Sequence, residues 1–344
     1  MDRGGVMKWW RSPWWLLALL TGAKSFADNP ILGSSRLNAA GLHQRRKRLA
    51  HVMADRRRTK LARLVPEHLR ADFDRNGFIV VRDVLAPDEF TRLQSDLFGS
   101  RLPSRSHQQG DTITRRIPVG PEFLQRFPAL RELIESPRWT GIMAYVASTR
   151  SKPLYYIQTI FGGVEQGPPD PQLQLHADTF HPSLKAWLFL TDVREEDRPL
   201  TYVAGSHRFT EARAAWEREK SVAIHDDANH LSRRGSFRIS PEELADLGLP
   251  APTHFAVPAN TLVAIDTSGF HARADSTRPT TRVELWAYCR RTPFLPWTGF
   301  DLLSLGPIAS RRAEWLGRAV DWLSARKVMV QHWRPVGLRR PIDP

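Results

Sequence analysis

The chain has 344 residues, 41% of them hydrophobic, with 12 Trp and 16 Phe; this composition excludes a disordered or fibrous protein and allows one large domain with appendages. Its single cysteine, Cys289, excludes an intramolecular disulfide and a cysteine-built zinc site, and suits a reducing compartment. The formal charge is +14, and residues 1–65 alone hold 14 Lys/Arg against Asp2, Asp28 and Asp55, a local +11 that directs this segment toward an anionic surface.

The first 27 residues set Arg3, Lys8 and Arg11 beside Trp9, Trp10, Trp14, Trp15 and several leucines. Uninterrupted apolar sequence runs only from Trp14 to Leu20, well short of the ~20 residues a spanning helix needs. Three readings stay open. Tryptophans beside cations suit a peripheral segment lying at the headgroup level of a membrane. Ser25-Phe26-Ala27 also resembles the cleavage site of a signal peptide. A soluble docking segment is the third.

Residues 36–64 are rich in helix formers and carry Arg45-Arg46-Lys47-Arg48 and Arg56-Arg57-Arg58. Such runs are either a solvated helix face or a contact with an anionic membrane, worth about 1 kcal/mol per basic residue near the surface. Nucleic acid fits less well, because no aromatics interleave the runs and no recognition motif accompanies them.

Pro66 opens a new unit. A helix over 67–75, a stop at Asn76-Gly77, a strand over 78–81 and a helix over 86–97 follow. Residues 100–118 read as a polar, basic loop reaching toward substrate, and 122–149 as helical. From Tyr155 the pattern turns to short strands, at 155–161, 172–176, 186–191, 200–203, 261–266 and 283–288. This order predicts a mainly β fold with flanking helices around a jelly-roll core, a cupin-like double-stranded β-helix. Residues 167–171 form a rigid Pro-rich loop, 208–250 a charged insertion placed as a lid, and 310–327 an amphipathic helix. The chain thus divides into a basic, Trp-rich segment (1–65), a jelly-roll domain (66–300) and a C-terminal helix and tail (301–344).

The chemistry centres on His176-Ala177-Asp178, answered 95 residues later by His271 and then by Arg282. Side chains at i and i+2 of a strand point to one face, so His176 and Asp178 can converge on one ion. Two imidazoles and one carboxylate are the set that holds non-haem Fe(II) with open positions. Arg282 offers the planar, two-pronged contact that a carboxylate accepts, in competition with Arg273, Arg278, Arg290 and Arg291.

Several stretches carry a resemblance to the phytanoyl-CoA dioxygenase-like family of Fe(II)/2-oxoglutarate oxygenases. "FDRNGFIVVRDVLAPDEFTRLQSDL" (73–97) is similar to its opening, and His176-Ala177-Asp178, the Trp187 strand and Ala204-Gly205-Ser206-His207 follow in its order. "DTSGFHARADSTRPTTRVEL" keeps His271, Arg278-Pro279 and Arg282 at family spacing, but Ala272 and Arg273 replace the usual small polar residues. The resemblance spans about residues 68–295. It implies His176, Asp178 and His271 as iron ligands, Arg282 as the 2-oxoglutarate arginine, Gln158 and Trp187 as further co-substrate residues, and His207 as structural. It also implies oxidative decarboxylation of 2-oxoglutarate with O2, coupled to hydroxylation; halogenases of this class lack the carboxylate that Asp178 supplies.

The expected protein is therefore a dioxygenase hydroxylating an unactivated C–H of a small-molecule or lipid-linked, possibly anionic glycolipid, substrate. It would work in the cytoplasm, peripheral on the inner face of the membrane, with no protein partner inferred. A soluble acyl-thioester or metabolite hydroxylase is the alternative within the family, and a catalytically silent jelly-roll scaffold the alternative outside it.

Overall fold

The computed structural model describes residues 12–276, 278–301 and 304–343. Arg3, Lys8, Trp9, Trp10 and Arg11 of the proposed interfacial segment lie outside the described residues. Eleven strands are present among them: β1 (Phe78–Val81), β2 (Leu102–Gln109), β3 (Thr112–Pro118), β4 (Leu154–Gly162), β5 (Leu184–Phe189), β6 (Leu200–Tyr202), β7 (Thr253–His254), β8 (Leu262–Asp266), β9 (His271–Arg273), β10 (Thr280–Cys289) and β11 (Arg334–Arg339). An eight-stranded sheet has the order β1-β8-β5-β10-β4-β3-β2-β11, and a three-stranded sheet the order β7-β6-β9. All pairings are antiparallel, and sequence-distant strands lie side by side, as a jelly roll requires.

Strand β10 shows how the sequence builds two layers. Val283, Leu285 and Ala287 pack outward with Ile142, Val146 and Leu97 of the helical layer. Trp286 points the other way, into a cluster with Trp187, Phe189, Tyr202 and Phe255. The period of two places Arg282 and Glu284 on that same inner face. The barrel interior therefore receives polar side chains at one end and aromatic ones further along.

Two expectations about local structure fail for identifiable reasons. The stretch 172–176 is not a strand: Pro171–Leu173 makes a 3₁₀ turn, and His176 joins the small sheet through single bridges to His271 and Arg238. Pro171 lacks the N–H a ladder needs. The stretch 100–118 is not a loop but the β2–β3 hairpin, turned at Gly110, whose φ of 59° suits a residue without a Cβ. Its strands are mostly polar, which hid them. The insertion contains helices Glu211–Val222, His230–Arg233 and Pro241–Asp246, and the C-terminal helix runs Gly306–Ala325 with Trp315, Leu316 and Trp322 exposed.

The basic N-terminal helix Leu42–Leu61 packs on the domain through four of the seven residues in its two charge runs. Lys47 lies 2.5 Å from Glu217, which also binds Arg213 and His43 at 2.7 Å each. Arg58 reaches Asp266 at 2.9 Å, and Arg57 donates to the carbonyls of Ser148 and Pro293 at 2.8 Å. Arg46 is buried as well, while Arg45, Arg48 and Arg56 remain on the surface.

Candidate metal centre and co-substrate site

His176 and His271 face each other because their backbones exchange two hydrogen bonds, of 3.0 and 2.9 Å, a directly paired position of an antiparallel ladder. Their rings stand 4.6 Å apart. Asp178 is fixed next to them by its own N–H, which donates to Thr267 O at 2.9 Å. Each Nδ1 is committed to a main-chain carbonyl, His176 to Gln174 at 2.8 Å and His271 to Gly269 at 3.1 Å, which turns both Nε2 atoms inward.

The three side chains offer ligand atoms that lie within 4.8 Å of one another, with Asp178 Oδ1 at 3.6 Å from His176 Nε2 and 3.7 Å from His271 Nε2. His271 Nε2 is buried without a hydrogen-bond partner. An orphaned nitrogen of this kind is costly unless something accepts its lone pair, and a cation does. Burial pushes the His271 pKa down to about 3 and lowers that of His176, so both imidazoles are neutral and able to ligate at neutral pH. Burial opposes ionisation of Asp178, but Lys185, His271 and His176 outweigh it and hold the carboxyl well below its ordinary range. Lys185, on the inner face of β5, lies 2.6 Å from Asp178 Oδ2. The donor set of two neutral imidazoles and a carboxylate fits Fe(II).

Arg282 and Gln158 come together on the inner face of neighbouring strands, with Glu284 between them. Arg282 Nε donates to Glu284 at 2.8 Å and Nη1 to Arg198 O at 2.6 Å. Gln158 donates to the other oxygen of Glu284 at 2.7 Å and accepts from Arg116 Nε at 2.7 Å. The Arg116 guanidinium stacks 4.1 Å over Trp286 and 4.4 Å over Trp333. Trp187 pairs in register with Trp286 and is buried in the inner cluster.

The competing arginines are engaged elsewhere. Arg273 pairs with Asp170 at 2.6 Å, Arg278 with Asp197 at 2.5 Å, Arg290 with the Gly22 carbonyl, and Arg291 with the Trp297 carbonyl at 2.7 Å. His207 packs its ring 5.6 Å from that of Phe73. Sequence reasoning placed Arg116 only in a basic stretch reaching toward substrate and missed Glu284, Lys185, Arg238 and Lys24. Of these four, Glu284 left a trace, as the charged residue alternating with Arg282 along one strand.

Residues 73–237 match the model of the phytanoyl-CoA dioxygenase (PhyH) family. The protein carries a PhyH domain. As such it is a non-haem dioxygenase that works with Fe(II), 2-oxoglutarate and O2. The matched stretch of the PhyH domain includes His176 and Asp178 and ends before His271 and Arg282, which the fold returns to it. No curated protein matches the chain. Among solved structures it is similar to the epimerase SnoN of nogalamycin biosynthesis, in complex with Fe3+, α-ketoglutarate and nogalamycin RO, at 19% identity and TM-score 0.43, covering 70% of this chain and 93% of that one. It is also similar to HygX from Streptomyces hygroscopicus with nickel, 2-oxoglutarate and hygromycin B, at 17% identity and TM-score 0.40, covering 70% and 92%. A third is EctD from S. alaskensis with bound Fe, at 17% identity and TM-score 0.37, covering 65% and 76%.

Proposed function

We propose that His176, Asp178 and His271 hold the iron, that Arg282, Gln158 and Trp187 hold 2-oxoglutarate, and that the protein hydroxylates an unactivated C–H of a small-molecule or lipid-linked substrate. The observation that carries this reading is the partnerless Nε2 of His271, buried beside a second inward Nε2 and a carboxylate. Iron with 2-oxoglutarate supplies the oxidising power for O2-dependent C–H chemistry when bound. The protein orients the reactants and keeps water from them. Asp178 stays ionised and completes the ligand set, Lys185 balances its second oxygen, and the Gln174 and Gly269 carbonyls fix both imidazole tautomers.

Arg282 is positioned for the far carboxylate of 2-oxoglutarate, which would share the guanidinium with Glu284. Trp187 and Trp286 lie in the buried aromatic cluster on the same inner face.

We place this activity on the inner face of a membrane, bound peripherally. Trp14, Leu16, Leu17 and Leu20 are all more than half exposed, and Arg45, Arg48 and Arg56 of the basic helix that follows face the surface. No helix among the described residues is long and apolar enough to cross a membrane. Vesicle flotation tests the idea: replacing those four apolar residues by Ser should release the protein from phosphatidylserine vesicles, and unchanged flotation would sink the membrane reading. Substrate is assigned by mass spectrometry of lipids and envelope glycolipids from cells with and without the gene, seeking a species that differs by one oxygen. An oxidised species confined to soluble metabolites would favour the soluble hydroxylase instead.

A further inference from the structure

Residues 19–33 precede the segment matched by the family model, yet they end up against the metal centre. Arg46 gathers the carbonyls of Leu19, Thr21 and Ala23 at 3.1, 3.1 and 3.0 Å, and Arg290 donates to the Gly22 carbonyl. The N–H groups of Phe26 and Ala27 both donate to Arg233 O at 3.0 Å. Phe26 is 4% exposed, stacked on Phe237 at 5.5 Å. Gly235, at φ 79°, permits this approach, since a Cβ there would lie 2.2 Å from Lys24 O. The strap is therefore clipped down by backbone contacts rather than draped over the surface.

Its consequence is the position of Lys24, whose ammonium donates to the main-chain oxygen of Asp178. That bond uses one of three donors. Arg238, from the insertion, bridges to His176 through its backbone, and its Nη1 is bound to Ser236 O and Oγ at 2.6 and 2.7 Å. The buried Nε of Arg238 has no partner. Asp178 lies in the field of both cations, and Arg238 also feels Asp227. Lys185 is already matched to Asp178 Oδ2. A divalent ion at the triad takes up the charge of Asp178, which leaves Lys24 and Arg238 in excess. The Asp178 side chain is 26% exposed.

We propose that Lys24 and Arg238, brought together by the N-terminal strap and the insertion, form an anion-binding subsite beside the metal centre that takes a phosphate or carboxylate group of the substrate. The proposal rests on the metal-centre reading and adds the charge of the substrate to it. Two elements outside the jelly roll thus select what the jelly roll oxidises.

The test is calorimetric titration of the cobalt-loaded full chain with phenyl phosphate, with phenol as the uncharged control, and with vesicles containing phosphatidic acid. Wild type should bind phenyl phosphate, or the vesicles if the group belongs to a lipid headgroup. Lys24→Met and Arg238→Met should each weaken that binding at least ten-fold, Lys24→Arg should restore it to within about three-fold, and all three should still bind cobalt at least as tightly as wild type. Binding of neither probe, or equal binding by wild type and Lys24→Met, overturns the subsite while leaving the metal centre standing. Failure of wild type to bind cobalt overturns the metal-centre reading and the subsite with it.

Discussion

The two charged parts of the candidate site differ in how fully their polar groups are satisfied. At the Arg282 end, both oxygens of Glu284 are taken, by Arg282 at 2.8 Å and Gln158 at 2.7 Å, and Gln158 also accepts from Arg116. At the triad end, His271 Nε2 has no partner, and Lys185, Lys24 and Arg238 all act on Asp178. A closed network stabilises a fold and resists new ligands, whereas unsatisfied groups mark where a ligand completes the structure. The difference supports the proposed metal site at the triad, and at the proposed 2-oxoglutarate site it makes Glu284 the competing carboxylate.

The largest effect should come from breaking the triad end. His176→Ala and Asp178→Ala each remove a proposed ligand, and cobalt affinity should fall by more than the roughly 100-fold that even supporting residues can cost. Equilibrium dialysis measures it, with near-native thermal stability of the metal-free variants as the control.

Breaking the closed network has a different signature. Arg282→Ala leaves Glu284 buried without its cation, which costs about 3–5 kcal/mol, and should raise half-saturation by 2-oxoglutarate about 10- to 100-fold, the worth of a charge-assisted contact. Calorimetry and steady-state kinetics separate the two effects. A stability loss with unchanged half-saturation would make Arg282 purely structural.

Glu284→Gln sharpens the comparison further. It removes the competing charge but loses one of the two hydrogen bonds, because an amide accepts through a single oxygen; half-saturation by 2-oxoglutarate should fall by about three- to ten-fold. A rise would mean that Glu284 orients Arg282 instead of rivalling 2-oxoglutarate.

Acid should also loosen the protein at its buried imidazoles. Burial pushes both His181 and His271 down to about 3, against an unfolded value near 6.5. Between those values the unfolded chain binds more protons, so stability is full above about pH 6.5 and falls as pH drops toward 3. Each imidazole contributes at most about 1.4 kcal/mol per pH unit. Melting of the metal-free protein at pH 7 and pH 5 reads this, and His181→Asn should reduce the difference.

Much of this arrangement was legible in the chain. Strands β4, β5, β6, β8 and β10 announce themselves by apolar, β-branched and aromatic runs, and His176, Asp178, His271 and Arg282 by type and order. The pairing of His176 with His271 required the small sheet, because Pro171 and the 3₁₀ turn break the strand on which the spacing argument relied. The β2–β3 hairpin was hidden because its strands carry Arg, Ser, Gln and Thr where a core strand carries Val or Ile. Charge runs misled in a further respect: Arg46, Lys47, Arg57 and Arg58 look like surface cations in sequence but are buried among carbonyls and carboxylates. Lys24 had no local signal, since its partner lies 154 positions away.

The most direct test is succinate formation from 2-oxoglutarate by the Fe(II)-loaded full chain with and without O2, followed by mass spectrometry alongside His176→Ala. The account predicts O2-dependent succinate from wild type, reduced at least about 100-fold in the variant. Equal succinate from both proteins, or none from wild type, would contradict it.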